Sequence, residues 1–222
     1  MSNRKAEISN NLREIQVRIA KAAELASRKA DEITLVAVTK TFPVSDIEIL
    51  YELGIRNFGE NRDQEGSVKA PALPSDCVWH FQGQIQSNKL KSIVEWADVV
   101  HSIDDLSHAR KLAALVSAKD IFIQVSLDNQ PNRGGVIPDL LPEFLTEIQK
   151  LSKLRVLGLM AVAPLGIEPA TAFEQLRSVQ RNIRKTHEIG ANLSAGMSGD
   201  FEAAIAHGAT HIRIGSQILG VR

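Results

Sequence analysis

Short apolar runs recur along the chain between stretches of helical periodicity, and this alternation constrains the fold more than any other feature. The runs lie at 33–38, 55–58, 78–81, 99–102, 121–125, 156–160, 191–193 and 211–214. Several carry β-branched or apolar residues at consecutive positions, which is typical of parallel strands covered on both faces. About eight β-then-α units of roughly 28 residues predict a (β/α)8, or TIM, barrel. A doubly wound open sheet shows the same alternation and is the alternative.

The segment before the first strand has a pattern of its own. Residues 4–29 carry apolar side chains at helical spacing among charged ones, which predicts an extra amphipathic N-terminal helix. The longest candidate linker is the loop 129–135, which is typical of a connection between a strand and a helix. We therefore expect a single domain over residues 1–222.

Charge and composition exclude several classes of function. Lysine plus arginine and aspartate plus glutamate both total 26, so no long-range field attracts nucleic acid or an anionic membrane. The single cysteine, Cys77, fits a reducing compartment. No apolar run approaches the roughly 20 residues that span a bilayer, and the six histidines lack metal-site spacing. We expect a cytoplasmic protein without nucleic-acid, membrane or metal partners.

Lys40 follows the first apolar run almost directly. Ligands of parallel α/β folds bind at the carboxyl ends of the strands, so this position faces the expected site. A lysine partly desolvated there has a depressed pKa, which makes its amine available to attack an aldehyde. The alternative is an ordinary charge that extends into solvent at the end of a strand.

Two segments rich in small residues follow the last two strands. Ser198 and Gly199 come before a predicted helix, and Gly215 and Ser216 follow the final strand. In (β/α)8 barrels the loops after strands seven and eight frequently bind phosphate, so these segments predict an anion site. Arg213 adds a fixed cation at the end of the strand. The alternatives are a helix N-cap for Ser198 and a buried ion pair for Arg213.

Six motifs, in order, resemble the pyridoxal-phosphate homeostasis protein family over essentially the whole chain. They are AVTK ending at Lys40, FGENR at 58–62, HFQGQIQSNK at 80–89, GLM at 158–160, GMSGDFEAAI at 196–205 and RIGSQILG at 213–220. The resemblance implies a barrel similar to the N-terminal domain of alanine racemase. It also implies pyridoxal 5'-phosphate (PLP) held as an internal aldimine on Lys40.

The resemblance assigns further residues to the cofactor. The phosphate contacts are Ser198, Gly199, Gly215 and Ser216. Arg213 faces the pyridine nitrogen, and Asn61, His80 and Met160 line the ring pocket. The loop 129–135, which includes Arg133, departs from the pattern of many relatives, and what this loop recognises stays open.

The implied function is non-catalytic: the protein buffers PLP or delivers it to apo PLP-dependent enzymes and affects amino-acid and keto-acid balance. Separately, without a second domain or an obvious exposed apolar helix in the sequence, we expect a monomer. The alternative is a low-activity racemase or lyase. An arginine beside the pyridine nitrogen keeps its own proton, so that nitrogen stays unprotonated and the ring is a weak electron sink. Racemisation also needs an acid–base group opposite the lysine, and the only tyrosine, Tyr51, lies in a predicted helix.

Overall fold

The computed structural model describes residues 3–130 and 134–220. Within these ranges, eight parallel strands form a closed barrel in sequential order. They are β1 (Thr34–Val38), β2 (Asn57–Glu60), β3 (Val78–Phe81), β4 (Val99–Ile103), β5 (Lys119–Gln124), β6 (Leu154–Met160), β7 (Asn192–Met197) and β8 (His211–Ile214). Closure occurs where β1 pairs with β8. The (β/α)8 prediction is confirmed, and the open-sheet alternative is wrong.

The helices surround the barrel and fill the connections between its strands. They are α1 (Asn3–Leu25), α2 (Val44–Glu52), α3 (Asp63–Lys69), α4 (Leu90–Trp96), α5 (Leu106–Leu115), α6 (Leu141–Gln149), α7 (Pro169–Ile183), α8 (Phe201–Ala206) and α9 (Ser216–Leu219). Short 3-10 turns occupy Ala30–Glu32, Ala70–Ala72 and Pro138–Leu140. None of the helices in the described ranges has both the length and the apolar character needed to cross a membrane.

The N-terminal helix exists but is shorter than the periodicity predicts. It ends at Leu25 rather than at residue 29 because the chain turns at Ser27, whose φ is +56°. Its buried face, which includes Ile8, Leu12 and Ile15, packs towards α8 and α9. The extra helix therefore covers the elements that flank the last strand.

Apolar side chains divide between the outside and the inside of the barrel. On β3, Trp79 and Phe81 point outwards and contact Trp96 of α4. Inside the barrel, Val99, Phe122 and Met160 form a smaller cluster. The lumen also holds buried polar side chains, namely His80, His101, Ser194 and Arg213. Barrel interiors are usually filled by bulky aliphatic residues, so this one is unusually polar.

A bulge in β6 changes which side chains enter the lumen. The pairing of β5 with β6 shifts between Ile121 and Phe122, so that Leu157 is an extra residue. Gly158 follows it with φ +155°, and a Cβ there would lie 1.8 Å from the carbonyl oxygen of Asn192. Only glycine fits such an approach between backbones. The bulge lets Met160 point inwards.

Candidate functional site

The carboxyl ends of β7, β8 and β1 lie side by side, and the three segments that follow them meet at one edge of the barrel. Ala37 of β1 is aligned with Ile214 of β8, so Lys40 and Gly215 leave neighbouring strands. A Cβ on Gly215 would lie 2.9 Å from the carbonyl oxygen of Val38. The chain after β8 thus lies directly against the strand that leads to Lys40.

The segments after β7 and β8 touch through their hydroxyl groups. Ser216 Oγ donates to Ser198 Oγ at 3.2 Å. Nothing lies within 4 Å of where a Cβ on Gly199 would be, and the N–H of Gly199 donates to no other group in the described ranges. Two hydroxyls and an open backbone N–H therefore converge, and this donor set suits a phosphate.

Ser198 is not a helix N-cap, and that alternative is wrong. Asp200 directly precedes α8. Its Oδ1 accepts a hydrogen bond from the Met197 N–H at 2.6 Å, which closes the turn that contains Ser198 and Gly199. The Asp200 carboxylate thus stabilises the turn through the backbone, and the Ser198 hydroxyl remains hydrogen-bonded to Ser216.

Lys40 lies at the mouth and is exposed, so the expected partial desolvation is wrong for this structure. Thr39 separates it from β1, and the chain turns at Thr41, where φ is +69°. That turn carries Lys40 out of the sheet. Its ammonium has no hydrogen bond or ion pair to any residue within the described part of the chain, so its amine is sterically accessible.

Arg213 projects into the lumen and is buried. Its Nη1 donates to Ser194 Oγ at 2.8 Å and its Nη2 to the Ala161 carbonyl at 3.1 Å. Burial lowers the pKa of the guanidinium to about 10, so it stays protonated at neutral pH. The buried ion-pair alternative is wrong, because the direct partners of Arg213 in the described ranges are a hydroxyl and a carbonyl.

Ser194 is the first member of a hydrogen-bonded chain that crosses the lumen. Ser194 Oγ lies 2.8 Å from His101 Nδ1, and His101 Nε2 lies 2.8 Å from His80 Nδ1. His80 Nε2 lies 3.0 Å from Asn57 Oδ1. Four strands, β7, β4, β3 and β2, therefore contribute to one polar chain that starts at Arg213.

The chemistry of the two ends and the neutrality of the buried histidines together fix the direction of every hydrogen bond in this chain. Arg213 can only donate, so the Ser194 hydroxyl accepts from it. The Asn57 carbonyl oxygen can only accept, so His80 donates from Nε2 and accepts at Nδ1. Burial keeps both imidazoles neutral, since it lowers the pKa of His80 to about 3 and that of His101 well below 6.5. His101 therefore donates from Nε2 to His80 and accepts at Nδ1 from the Ser194 hydroxyl.

The remaining predicted residues occupy different depths. His80 and Met160 are buried inside the lumen. Asn61 is half-buried after β2 and borders the largest cavity described, of about 590 Å³, together with Arg62 and Lys89. That cavity lies beside the mouth, between α3 and α4. No residue of the segments that follow β7 and β8 lines it. Lys40 and the four small residues therefore share an edge, while Arg213, His80 and Met160 lie within the barrel.

Three residues of the site, His101, Ser194 and Lys69, were not predicted from the sequence. His101 and Ser194 lie on strands predicted from their apolar neighbours, and their inward direction could have been found from strand alternation. Lys69 is four residues after Glu65, a spacing that brings the two side chains together on α3. The described ranges contain no group of three or more side chains suited to hold a metal ion.

Comparison with known proteins identifies the family. A family profile described as alanine racemase, N-terminal domain, matches residues 7–222. The pyridoxal phosphate homeostasis protein of Mycobacterium leprae is 37% identical over 98% of this chain and 94% of its own length. That of Corynebacterium glutamicum is 42% identical over 94% of this chain and 99% of its own length. This chain belongs to the pyridoxal phosphate homeostasis protein family.

A solved structure supports the same relationship. PipY of Synechococcus elongatus PCC7942, with PLP bound, is 35% identical and superposes with a TM-score of 0.80, covering 91% of this chain and 100% of that one. The family resemblance drawn from the six motifs is confirmed. The buried histidines of the lumen predict how the stability of this protein depends on pH.

We expect the free energy of unfolding to fall as pH drops below about 6.5. Burial lowers the pKa of His80 to about 3 and of His211 to about 4. Below about pH 6.5 the unfolded chain therefore binds protons that the folded chain does not bind. Each histidine contributes a slope approaching about 1.4 kcal/mol per pH unit between its folded pKa and 6.5. Urea denaturation at pH 6.5, 5.5 and 4.5 measures this slope.

The variant His211→Gln removes one of these two titrating side chains. Its stability is expected to fall less steeply with pH than that of the wild type, by about one proton in the same interval. Parallel curves for the two proteins would contradict the burial of a neutral His211.

Proposed function

We propose that this protein binds PLP at the carboxyl edge of its barrel, holds it through a covalent bond from Lys40, and acts in intracellular PLP homeostasis without turning over a substrate. The observation that carries the proposal is the convergence of an accessible lysine amine with four small, donor-rich residues on adjacent strands. The names of the relatives and the PLP-bound structure of PipY support it.

The residues divide the work of holding the cofactor. Ser198 and Ser216 offer hydroxyls and Gly199 an open N–H to the phosphate, while Gly215 allows close approach of the backbone. The geometry at Arg213 suits the pyridine nitrogen, because the lumen chain occupies only part of its five donors. Asn61 would contact the ring from the mouth, with His80 and Met160 beneath. When bound, PLP supplies an aldehyde electrophile and a conjugated ring.

Two features favour a carrier over an enzyme. Arg213 keeps its proton at neutral pH even with a pKa lowered to about 10, so it cannot protonate the ring nitrogen and strengthen the electron sink. Tyr51 donates its hydroxyl hydrogen to Asp76 at 3.0 Å. Asp76 lies two residues before the start of β3, so this tyrosine lies at the end of the barrel opposite Lys40 and is too far to exchange a proton there.

The proposal extends to the setting of the protein. We place it in the cytoplasm as a monomer, with apo PLP-dependent enzymes as recipients. Cys77, the free cysteine of the described ranges, is buried, which suits a reducing compartment. The exposed position of Lys40 would leave a ligand held there accessible to water and to incoming amines, as release requires.

The covalent bond is tested by absorbance and mass mapping. On addition of PLP, the wild type is expected to develop a visible band that borohydride removes, with the reduced adduct on Lys40. The variant Lys40→Ala is expected to lack both band and adduct, because the amine that forms the bond is absent. A reduced adduct on a different lysine, or a band that survives in Lys40→Ala, would contradict the proposal.

The phosphate contacts are tested with pyridoxal as a matched ligand. The double variant Ser198→Ala, Ser216→Ala is expected to bind PLP at least about tenfold more weakly, because two hydroxyl donors to a dianion are lost. Its affinity for pyridoxal, which lacks the phosphate, should stay within about twofold of the wild type. Equal losses for both ligands would indicate a general disruption of the mouth.

The alternative is a low-activity racemase or lyase, which the alanine racemase profile favours. It requires proton exchange at the α-carbon of an amino acid. We expect the PLP-loaded protein in deuterated water to exchange the α-proton of alanine no faster than free PLP does, followed by NMR. Exchange that exceeds the free-PLP rate and disappears in Lys40→Ala would favour the enzyme.

A further inference from the structure

Lys69 is a buried lysine whose three hydrogen bonds all lead towards the backbone around Lys40. It lies at the end of α3 with its side chain only 8% exposed. Its ammonium donates to the carboxylates of Glu60 and Glu65, each at 2.7 Å, and to the carbonyl oxygen of Thr39 at 2.8 Å. All three donor positions of the ammonium are therefore used.

These contacts grip both neighbours of Lys40. On one side, the Thr39 carbonyl accepts from Lys69, and the Thr39 hydroxyl donates to Glu60 Oε1 at 2.6 Å. On the other side, the Thr41 N–H donates to Glu65 Oε2 at 2.6 Å. Lys69, Glu60 and Glu65 form what we term the clamp. Lys40 lies between Thr39 and Thr41, and the clamp makes no hydrogen bond to the Lys40 side chain.

The segment needs such a restraint because its backbone is strained. Thr41 has φ +69°, a conformation that a β-branched residue adopts only when its surroundings impose it. The hydrogen bond from Thr41 to Glu65 holds this turn, and the turn directs Lys40 out of the sheet. Without it the segment would relax towards an ordinary φ, and the lysine would leave from a different direction.

The clamp buries an ion cluster that includes one unpaired oxygen atom. Glu60 is fully buried, and its Oε2 has no hydrogen-bond partner in the described ranges. Burial raises the pKa of Glu60, against the hydrogen bonds from Lys69 and Thr39. Apolar residues of similar size would often stabilise a fold as well or better. A costly ion cluster whose contacts converge on the residues beside Lys40 therefore indicates a role at the site.

We propose that Lys69, Glu60 and Glu65 are positioning residues that hold the Thr39–Thr41 backbone so that the Lys40 amine faces the aldehyde of the bound cofactor. The inference rests on the proposed function and deepens it. The clamp acts on covalent capture, while the loops after β7 and β8 hold the phosphate. Loss of the clamp should therefore weaken ligands that react with Lys40 and spare those that do not.

Two ligands separate these effects. PLP can bond to Lys40, whereas pyridoxamine 5'-phosphate has the same ring and phosphate but an amine in place of the aldehyde. In fluorescence titrations, Lys69→Met is expected to raise the Kd for PLP roughly tenfold or more, since small displacements of a reacting group are costly. Its Kd for pyridoxamine 5'-phosphate should change by less than about twofold.

A matched control is available at the other end of the barrel. Lys119 is also partly buried and donates to a backbone carbonyl, that of Ala97, but it lies at the start of β5. Lys119→Met removes a comparable buried ammonium and is expected to leave both affinities within about twofold of the wild type. Glu65→Ala, at the more exposed end of the clamp, removes the acceptor of the Thr41 N–H without leaving Lys69 unpaired. This variant serves if Lys69→Met does not fold.

A double variant tests whether the clamp acts through Lys40. In a Lys40→Ala background, Lys69→Met should change PLP affinity by less than about twofold, because the amine that the clamp positions is absent. Equal losses of affinity for PLP and pyridoxamine 5'-phosphate, or additive effects of the two substitutions, would overturn the inference. Either result would leave the proposed PLP-binding function standing. A wild type that captures no PLP on Lys40 would overturn the proposed function and the inference with it.

Discussion

Pairing between β1 and β8 closes the barrel, with Thr34 aligned to His211 and Ala37 to Ile214. This contact joins the first and last strands and sets Val38, which leads to Lys40, beside Gly215. The extra N-terminal helix supports it from outside. Arg4 and Asn11 of α1 donate to the carbonyls of Leu219 and Ile218, which a helix as short as α9 would leave unsatisfied. The helix before the barrel thereby secures the segment that contains Ser216.

Inside the barrel, hydrogen bonds replace much of the usual aliphatic packing. The chain from Arg213 through Ser194, His101 and His80 to Asn57 pairs the Ser194 hydroxyl and all four ring nitrogens, and an unpaired group there would cost about 1–3 kcal/mol. With the Asn57 carbonyl oxygen as the terminal acceptor, neutral imidazoles allow a single arrangement of these protons. A fully satisfied chain of this kind holds Arg213 in one orientation, which an aliphatic lumen could not do.

The fold was largely predictable because each strand is an apolar run followed by a helical pattern, and all eight predicted runs overlap observed strands. The mouth residues were also predictable, since they follow the strands directly. Side-chain depth was harder. The extra residue at Leu157 reverses the alternation of β6, so that the inward position of Met160 depends on a bulge at Gly158. The clamp could not be predicted for a different reason. Lys69 is connected to the backbone beside Lys40 only through contacts between β2, α3 and the turn after β1.

The site combines a fixed backbone with a free side-chain tip. Thr39 and Thr41 are held by the clamp, yet the Lys40 ammonium itself contacts no carboxylate in the described ranges. A carboxylate partner would favour the charged amine and oppose its reaction with an aldehyde. A mobile backbone would instead lose the orientation that a covalent bond needs. Separating the two requirements, with charges placed on the neighbours rather than on the lysine, suits a protein whose proposed task is to capture an aldehyde and later release it.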